Sequence, residues 1–95
     1  MKLTLFAVRH GNKVYEFREP IEAVLYHKDN LWIINSKTLE SIDFASTKED
    51  VLAYFANSIS FLWNSYAMCE ASSLNKGARE LKQKLLKLIT AREIV

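Results

Sequence analysis

The chain has 95 residues, enough for one domain, and its 49% hydrophobic and 25% charged residues are ordinary globular values. Two glycines and one proline argue against disorder, and a formal net charge of +2 makes the chain neither strongly basic nor strongly acidic. No run approaches the roughly 18 apolar residues of a membrane span. The N-terminal apolar run lacks a small-residue cleavage site, and the single cysteine suits a reducing compartment, so we expect a cytoplasmic protein.

Residues 1–45 are predicted to form a strand-rich part. Four segments there alternate in hydropathy as half-buried strands do, namely residues 2–9, 13–18, 31–35 and 39–44. His10-Gly11-Asn12 predicts a turn between the first two strands. Pro20 suits the first position of a helix, so we expect a short helix from there to about Asp29-Asn30, between the two strand pairs.

Residues 46–95 are predicted to form a helical hairpin. Ser46 and Glu49 have the spacing of a capping box, with a first helix over residues 48–70 and a second over 76–92. The predicted fold is therefore α+β in one domain, 1–95. It has an antiparallel sheet of about four strands, with the short helix and the helical hairpin packed on one face. Phe55 and Trp63 are expected between helix and sheet, and Leu85 between the two helices.

Charge is distributed unevenly along the chain. Residues 16–70 carry nine acids and four bases, a net of −5, whereas residues 76–92 carry six bases and one acid, a net of +5. We predict that one exposed strip of the last helix captures a partner, and that it consists of Lys76, Arg79, Lys84 and Lys87. A solvated helix face with favourable charge near the helix C-terminus explains the same pattern, and steering onto a nucleic acid or an acidic protein is the functional alternative.

The first helix is apolar around much of its circumference. Phe61 and Met68 fall outside its main apolar stripe, and we predict that they belong to an interface. The alternative is that the sheet and the last helix bury them from two sides.

No catalytic or metal-binding motif is present. Val8-Arg9-His10-Gly11 resembles the Arg-His-Gly signature of histidine phosphatases. However, the chain is too short for that scaffold, and His27 has no matching context, so a hairpin turn is preferred. His10, His27 and Cys69 have no partner at metal-ligand spacing, and two glycines cannot build a phosphate-binding loop. We therefore expect no enzyme activity, no cofactor and no metal.

One resemblance lies in the second half of the chain. It rests on Leu62-Trp63-Asn64-Ser65-Tyr66-Ala67, then Leu74, Ala78, Leu81-Lys82 and Leu85-Leu86. This pattern, over about residues 62–89, is similar to the closing segment of small early-region proteins of temperate bacteriophages, the group that includes the phage anti-RecBCD proteins. The resemblance implies a non-enzymatic counter-defence protein that binds and inhibits a host nuclease–helicase, and it assigns no role to any residue.

The function expected from the sequence is thus a protein-binding module, an inhibitor or adaptor of a host macromolecular machine. The alternative is a nucleic-acid-binding accessory protein that uses the basic last helix. The sequence makes no prediction of the oligomeric state.

Overall fold

A computed structural model describes residues 1–94. In chain order its elements are β1 (Lys2–His10), β2 (Lys13–Lys28), β3 (Leu31–Ser36), β4 (Ser41–Ala45), α1 (Lys48–Leu62), a π-helical turn (Trp63–Ala67), a 3-10 turn (Ala71–Ser73), α2 (Lys76–Leu88) and β5 (Ile89–Glu93). Val95, the last residue of the predicted helical half, lies outside the described residues.

The strands form one antiparallel sheet in the order β1-β2-β3-β4, and β5 also pairs with β2. The long strand β2 has β1 along one edge, while its other edge is shared by β5 at the start and β3 at the end. The α+β class and the antiparallel sheet are confirmed.

The short helix predicted from Pro20 is wrong, because β2 runs through this position to Lys28. The register of β1 against β2 shifts between Leu5 and Ala7, which leaves residues 17–20 as a bulge. A bulge tolerates proline because the ladder is already interrupted there. The predicted helix end at Asp29-Asn30 is instead a two-residue hairpin turn with φ of +52° and +63°.

The predicted helical hairpin over residues 46–95 does not form as expected. The first helix ends at Leu62 and continues as the π-helical turn, in which the Met68 N–H donates to the Trp63 carbonyl at 3.0 Å. The last helix ends at Leu88, and residues 89–93 pair with β2 as β5. Helix α2 packs chiefly against the π-helical turn, β2 and β5.

The N-cap of α1 is Thr47 rather than Ser46. The Thr47 hydroxyl accepts a hydrogen bond from the Asp50 N–H at 3.1 Å, and Thr47 has the extended backbone that an N-cap requires. The predicted cap at Ser46 is therefore one residue too early.

The core lies between one face of the sheet and the helices. Phe55, Trp63 and Leu85 are buried as predicted, with 2%, 8% and 0% of their surface exposed. The Trp63 ring meets the Tyr15 ring edge-on at 6.3 Å between centroids, which ties the π-helical turn to β2. The Tyr15 hydroxyl donates to Ser60 Oγ at 3.0 Å, so this buried phenol has a hydrogen-bond partner.

Candidate functional site

Helix α2 has a core side and a charged side. The Asn75 side chain caps it by accepting from the Ala78 N–H at 2.8 Å. Leu85 is fully buried, with Leu81 and Leu88 packed partly against the core. Lys82 differs from the other bases of the helix because its Nζ donates to the Ala67 carbonyl at 2.8 Å and also to the Cys69 carbonyl. It therefore caps the end of the π-helical turn. These contacts leave the remaining basic residues of the helix facing solvent.

The structure brings the four predicted basic residues together in one place. All four are exposed and line a single open groove with a volume of about 790 Å³. Its other walls come from the β2 bulge and from the turn after β3. The lining residues are Arg18, Glu19, Thr38, Lys76, Arg79, Glu80, Gln83, Lys84, Lys87 and Leu88. We call this cavity the basic groove.

The basic groove is electrostatically positive. Five bases and two acids line it, a net charge of +3. Across residues 1–94 the one ion pair within 4 Å joins Arg92 Nε to Glu16 Oε1 at 2.5 Å, and neither residue lines the groove. Arg18 is positioned by a hydrogen bond from its Nε to Thr90 Oγ1 at 3.2 Å, which links the groove wall to β5. The positive charge in the groove is therefore not neutralised by ion pairing among the described residues.

Phe61 and Met68 are exposed, at 62% and 63%, and neither lines the basic groove. Tyr54, exposed at 51%, lies seven residues before Phe61, and this spacing places the two on nearly the same side of α1. The alternative in which the sheet and the last helix bury these side chains is wrong. The structure does not join these apolar residues and the four bases into one surface.

Sequence reasoning missed an apolar patch on the sheet face that carries no helix. Cross-strand registry aligns the outward side chains in two rows, Val24–Asn35–Ile42 and Tyr26–Ile33–Phe44. Ile42 and Phe44 are the most exposed of them, at 57% and 61%. Their alternation in the sequence showed that they share a face of β4, but alternation does not reveal which face the helices cover. Exposed apolar groups that cluster in this way are typical of protein–protein contact sites.

The two histidines and the cysteine, which are the candidate metal-ligating or catalytic residues, lie on separate elements. His10 is at the β1–β2 hairpin, and His27 packs on Trp32 with 5.1 Å between ring centroids. Cys69 Sγ donates to the Ser65 carbonyl at 3.0 Å, beyond the π-helical turn. In the described part of the chain, no three His, Cys, Asp or Glu side chains group as a metal site would require.

Two further findings bear on the site. None of the helices within residues 1–94 has the length and apolarity needed to cross a membrane. No protein-family model, curated protein or solved structure matches the chain.

Proposed function

We propose that this protein is a non-enzymatic protein-binding module that captures its partner at the basic groove. The observation that carries the proposal is the convergence of Lys76, Arg79, Lys84 and Lys87 on one open cavity with a net charge of +3. Unpaired cations in a concave site concentrate field lines, which raises the local concentration of an acidic partner and its association rate.

The composition of the groove favours a protein over a nucleic acid as the partner. Glu19 and Glu80 line it together with the bases. Double-stranded DNA presents one negative charge for about every 1.7 Å of its axis, so two carboxylates in the contact surface would repel it. A protein surface can place a base opposite each of these acids, and such matching of individual charges is how protein interfaces fix register and reject wrong partners.

The apolar patch on the uncovered sheet face gives independent support for protein contact. It provides the kind of exposed apolar area that protein interfaces use, whereas contacts to nucleic acids are dominated by charge and by hydrogen bonds to phosphate.

Within this proposal, the bacteriophage resemblance over residues 62–89 makes a host nuclease–helicase of the RecBCD type the first partner to test. The protein would then act in the bacterial cytoplasm as a counter-defence inhibitor. The direct assay is degradation of linear duplex DNA by the purified nuclease–helicase, with and without this protein at increasing ratio. Inhibition that reaches a plateau at a fixed molar ratio supports the assignment, and unchanged degradation at large excess removes it.

The broader proposal is tested by charge reversal in the groove. Lys84→Glu/Lys87→Glu should lower the association rate with a partner captured from bacterial lysate by about tenfold at low salt. The difference should shrink as salt rises, because the Debye length falls to about 3 Å at 1 M. The matched control is Arg9→Glu/Lys28→Glu, which makes the same charge change at exposed residues outside the groove. Equal association rates for the groove variant and the control would remove the groove from the mechanism.

The alternative function is nucleic-acid binding through the basic face of α2, and six bases within residues 76–92 favour it. Fluorescence anisotropy with a labelled duplex and a labelled single strand, over a range of salt, decides between the two. Each phosphate contact contributes a log–log slope of about −0.9 for duplex DNA. If the salt slope of DNA affinity corresponds to several phosphate contacts in the wild type and the control but is lost in the groove variant, nucleic-acid binding replaces protein binding as the proposed function.

A further inference from the structure

One stretch of β2 has no strand beside it on one edge. Along that edge β5 pairs with residues 13–17 and β3 pairs with residues 24–28. The pairings within residues 1–94 thus leave residues 18–23 without a strand beside them on this edge. Because residues 17–20 bulge, the gap is shorter than the roughly 20 Å that six extended residues would span.

Backbone alternation shows which groups face this gap. The Leu25 N–H donates to the Met1 carbonyl, and the Met1 ammonium donates to the Leu25 carbonyl, both at 2.9 Å, so Leu25 faces β1. Because successive residues of a strand point their backbone groups to opposite edges, Ala23 also faces β1 while Glu22 faces the gap. Val24, which faces the same way as Glu22, is opposite Asn35 of β3. The N–H and carbonyl of Glu22 are therefore directed at the open edge.

Neither flanking segment closes the gap. After β3 the chain turns back, with the Glu40 N–H donating to the Lys37 carbonyl at 3.2 Å. On the other side, α2 ends at Leu88 and β5 begins at Ile89, which is opposite Phe17. The open edge is thus bordered by a tight turn at one end and by a helix end at the other.

Two cavities lie beside this stretch of β2, and the second one also reaches β1 at Lys2. The basic groove includes Arg18, Glu19 and Thr38, and a second cavity of about 290 Å³ continues from Thr38. The second cavity is lined by Lys2, Glu22, Ala23, Val24, Asn35, Lys37 and Thr38. Together the two cavities carry seven bases and three acids, a net charge of +4.

From this arrangement we propose that an acidic, extended segment of the partner protein binds along the open edge of β2 as an added strand. The inference rests on the proposed function and names how the partner is held. Main-chain hydrogen bonds to Glu22 give the segment its register, and its carboxylates meet the surrounding lysines and arginines. Pro20 in the bulge has no N–H, so residues 18–23 carry one backbone donor fewer than they carry acceptors. A nucleic acid has no alternating N–H and carbonyl groups with which to pair.

The test uses a fluorescein-labelled peptide of four residues that alternates glutamate and threonine, about 13 Å long when extended. Two isomers of it carry N-methyl groups, one at every glutamate and the other at every threonine, so that they block opposite edges of the same extended peptide. Strand addition uses one edge, so one isomer should bind within about twofold of the parent peptide. The other should bind about tenfold or more weakly, because its hydrogen bonds to β2 are lost.

Hydrogen exchange provides a second readout on the intact protein. The amide of Glu22 should exchange about tenfold more slowly when the parent peptide is saturating, because it becomes hydrogen-bonded. Glu22→Pro removes this backbone N–H donor and should lower the affinity for the peptide. Glu22→Ala keeps the donor and should leave the affinity unchanged.

The outcomes separate this inference from the proposed function. If Lys84→Glu/Lys87→Glu weakens the peptide, but both isomers bind alike and the Glu22 amide is unprotected, strand addition is overturned and capture at the groove stands. If Lys84→Glu/Lys87→Glu leaves the affinity for the peptide unchanged, both strand addition and capture at the basic groove are contradicted. Tighter binding of a DNA oligonucleotide than of the peptide at the same groove would also overturn the inference.

Discussion

Docking of α2 on the rest of the fold determines whether the basic groove exists, and Leu85 is the side chain that tests it. Leu85 is fully buried, and α2 rests on the π-helical turn, β2 and β5 around it. Leu85→Ala removes three carbon atoms from a closely packed site and leaves a cavity. Substitutions of this kind cost about 2–5 kcal/mol. Leu81 and Leu88 are only partly buried and keep some freedom to move into the space, so we expect a cost of about 3 kcal/mol.

The assay is thermal and urea unfolding, followed by tryptophan fluorescence and far-ultraviolet circular dichroism. For a domain of this size each kcal/mol lowers the Tm by about 4–8 °C, which predicts a fall of roughly 12–24 °C. The control is Leu52→Ala on α1, where 37% of the side chain is already exposed and the cost should be below about 1 kcal/mol. A Leu85→Ala curve that overlays the wild type would refute the reasoning, because it would mean that α2 contributes no packing to the fold.

Two further predictions concern the remaining polar residues. Replacing His10 and His27 by Gln and Cys69 by Ser in one variant should leave biological activity intact, measured as inhibition of the nuclease–helicase by a protein with a native circular dichroism spectrum. Loss of activity in the folded variant would contradict the non-enzyme proposal. Lys82→Met keeps the aliphatic stem but removes the donors to the end of the π-helical turn, so it should lower the free energy of unfolding by about 1–3 kcal/mol in urea titration. Lys87→Met, at an exposed position, should change it by less than about 0.5 kcal/mol, and equal effects of the two would show that the Lys82 hydrogen bonds contribute nothing.

In the proposed complex, the contact surface would be divided between two elements. The side chains of α2 supply charge, whereas the β2 edge supplies main-chain hydrogen bonds, and the two meet at Arg18 and Glu19. In that complex, charge would set the association rate, and the desolvated main-chain contacts would set the lifetime.

The sequence by itself determined the features that depend on neighbouring residues. The β1–β2 hairpin, the strands β3 and β4, the start of α1 and the burial of Phe55, Trp63 and Leu85 follow from local periodicity and turn chemistry. The exposure of the four basic residues of α2 also follows, because helical spacing sets them apart from the leucine stripe.

Tertiary structure decided the rest. Residues 21–28 fit a helix by spacing, but β1 pairs with residues 21–24 and β3 pairs with residues 24–28, and this pairing outweighs a weak helical preference. Residues 89–93 continue the helical pattern in sequence, yet β2 offers them an edge. Arg18 and Thr38 join residues of α2 in the basic groove, although they lie far from α2 in the chain. Such contacts join residues far apart in the chain, and no local pattern encodes where one strand ends beside another.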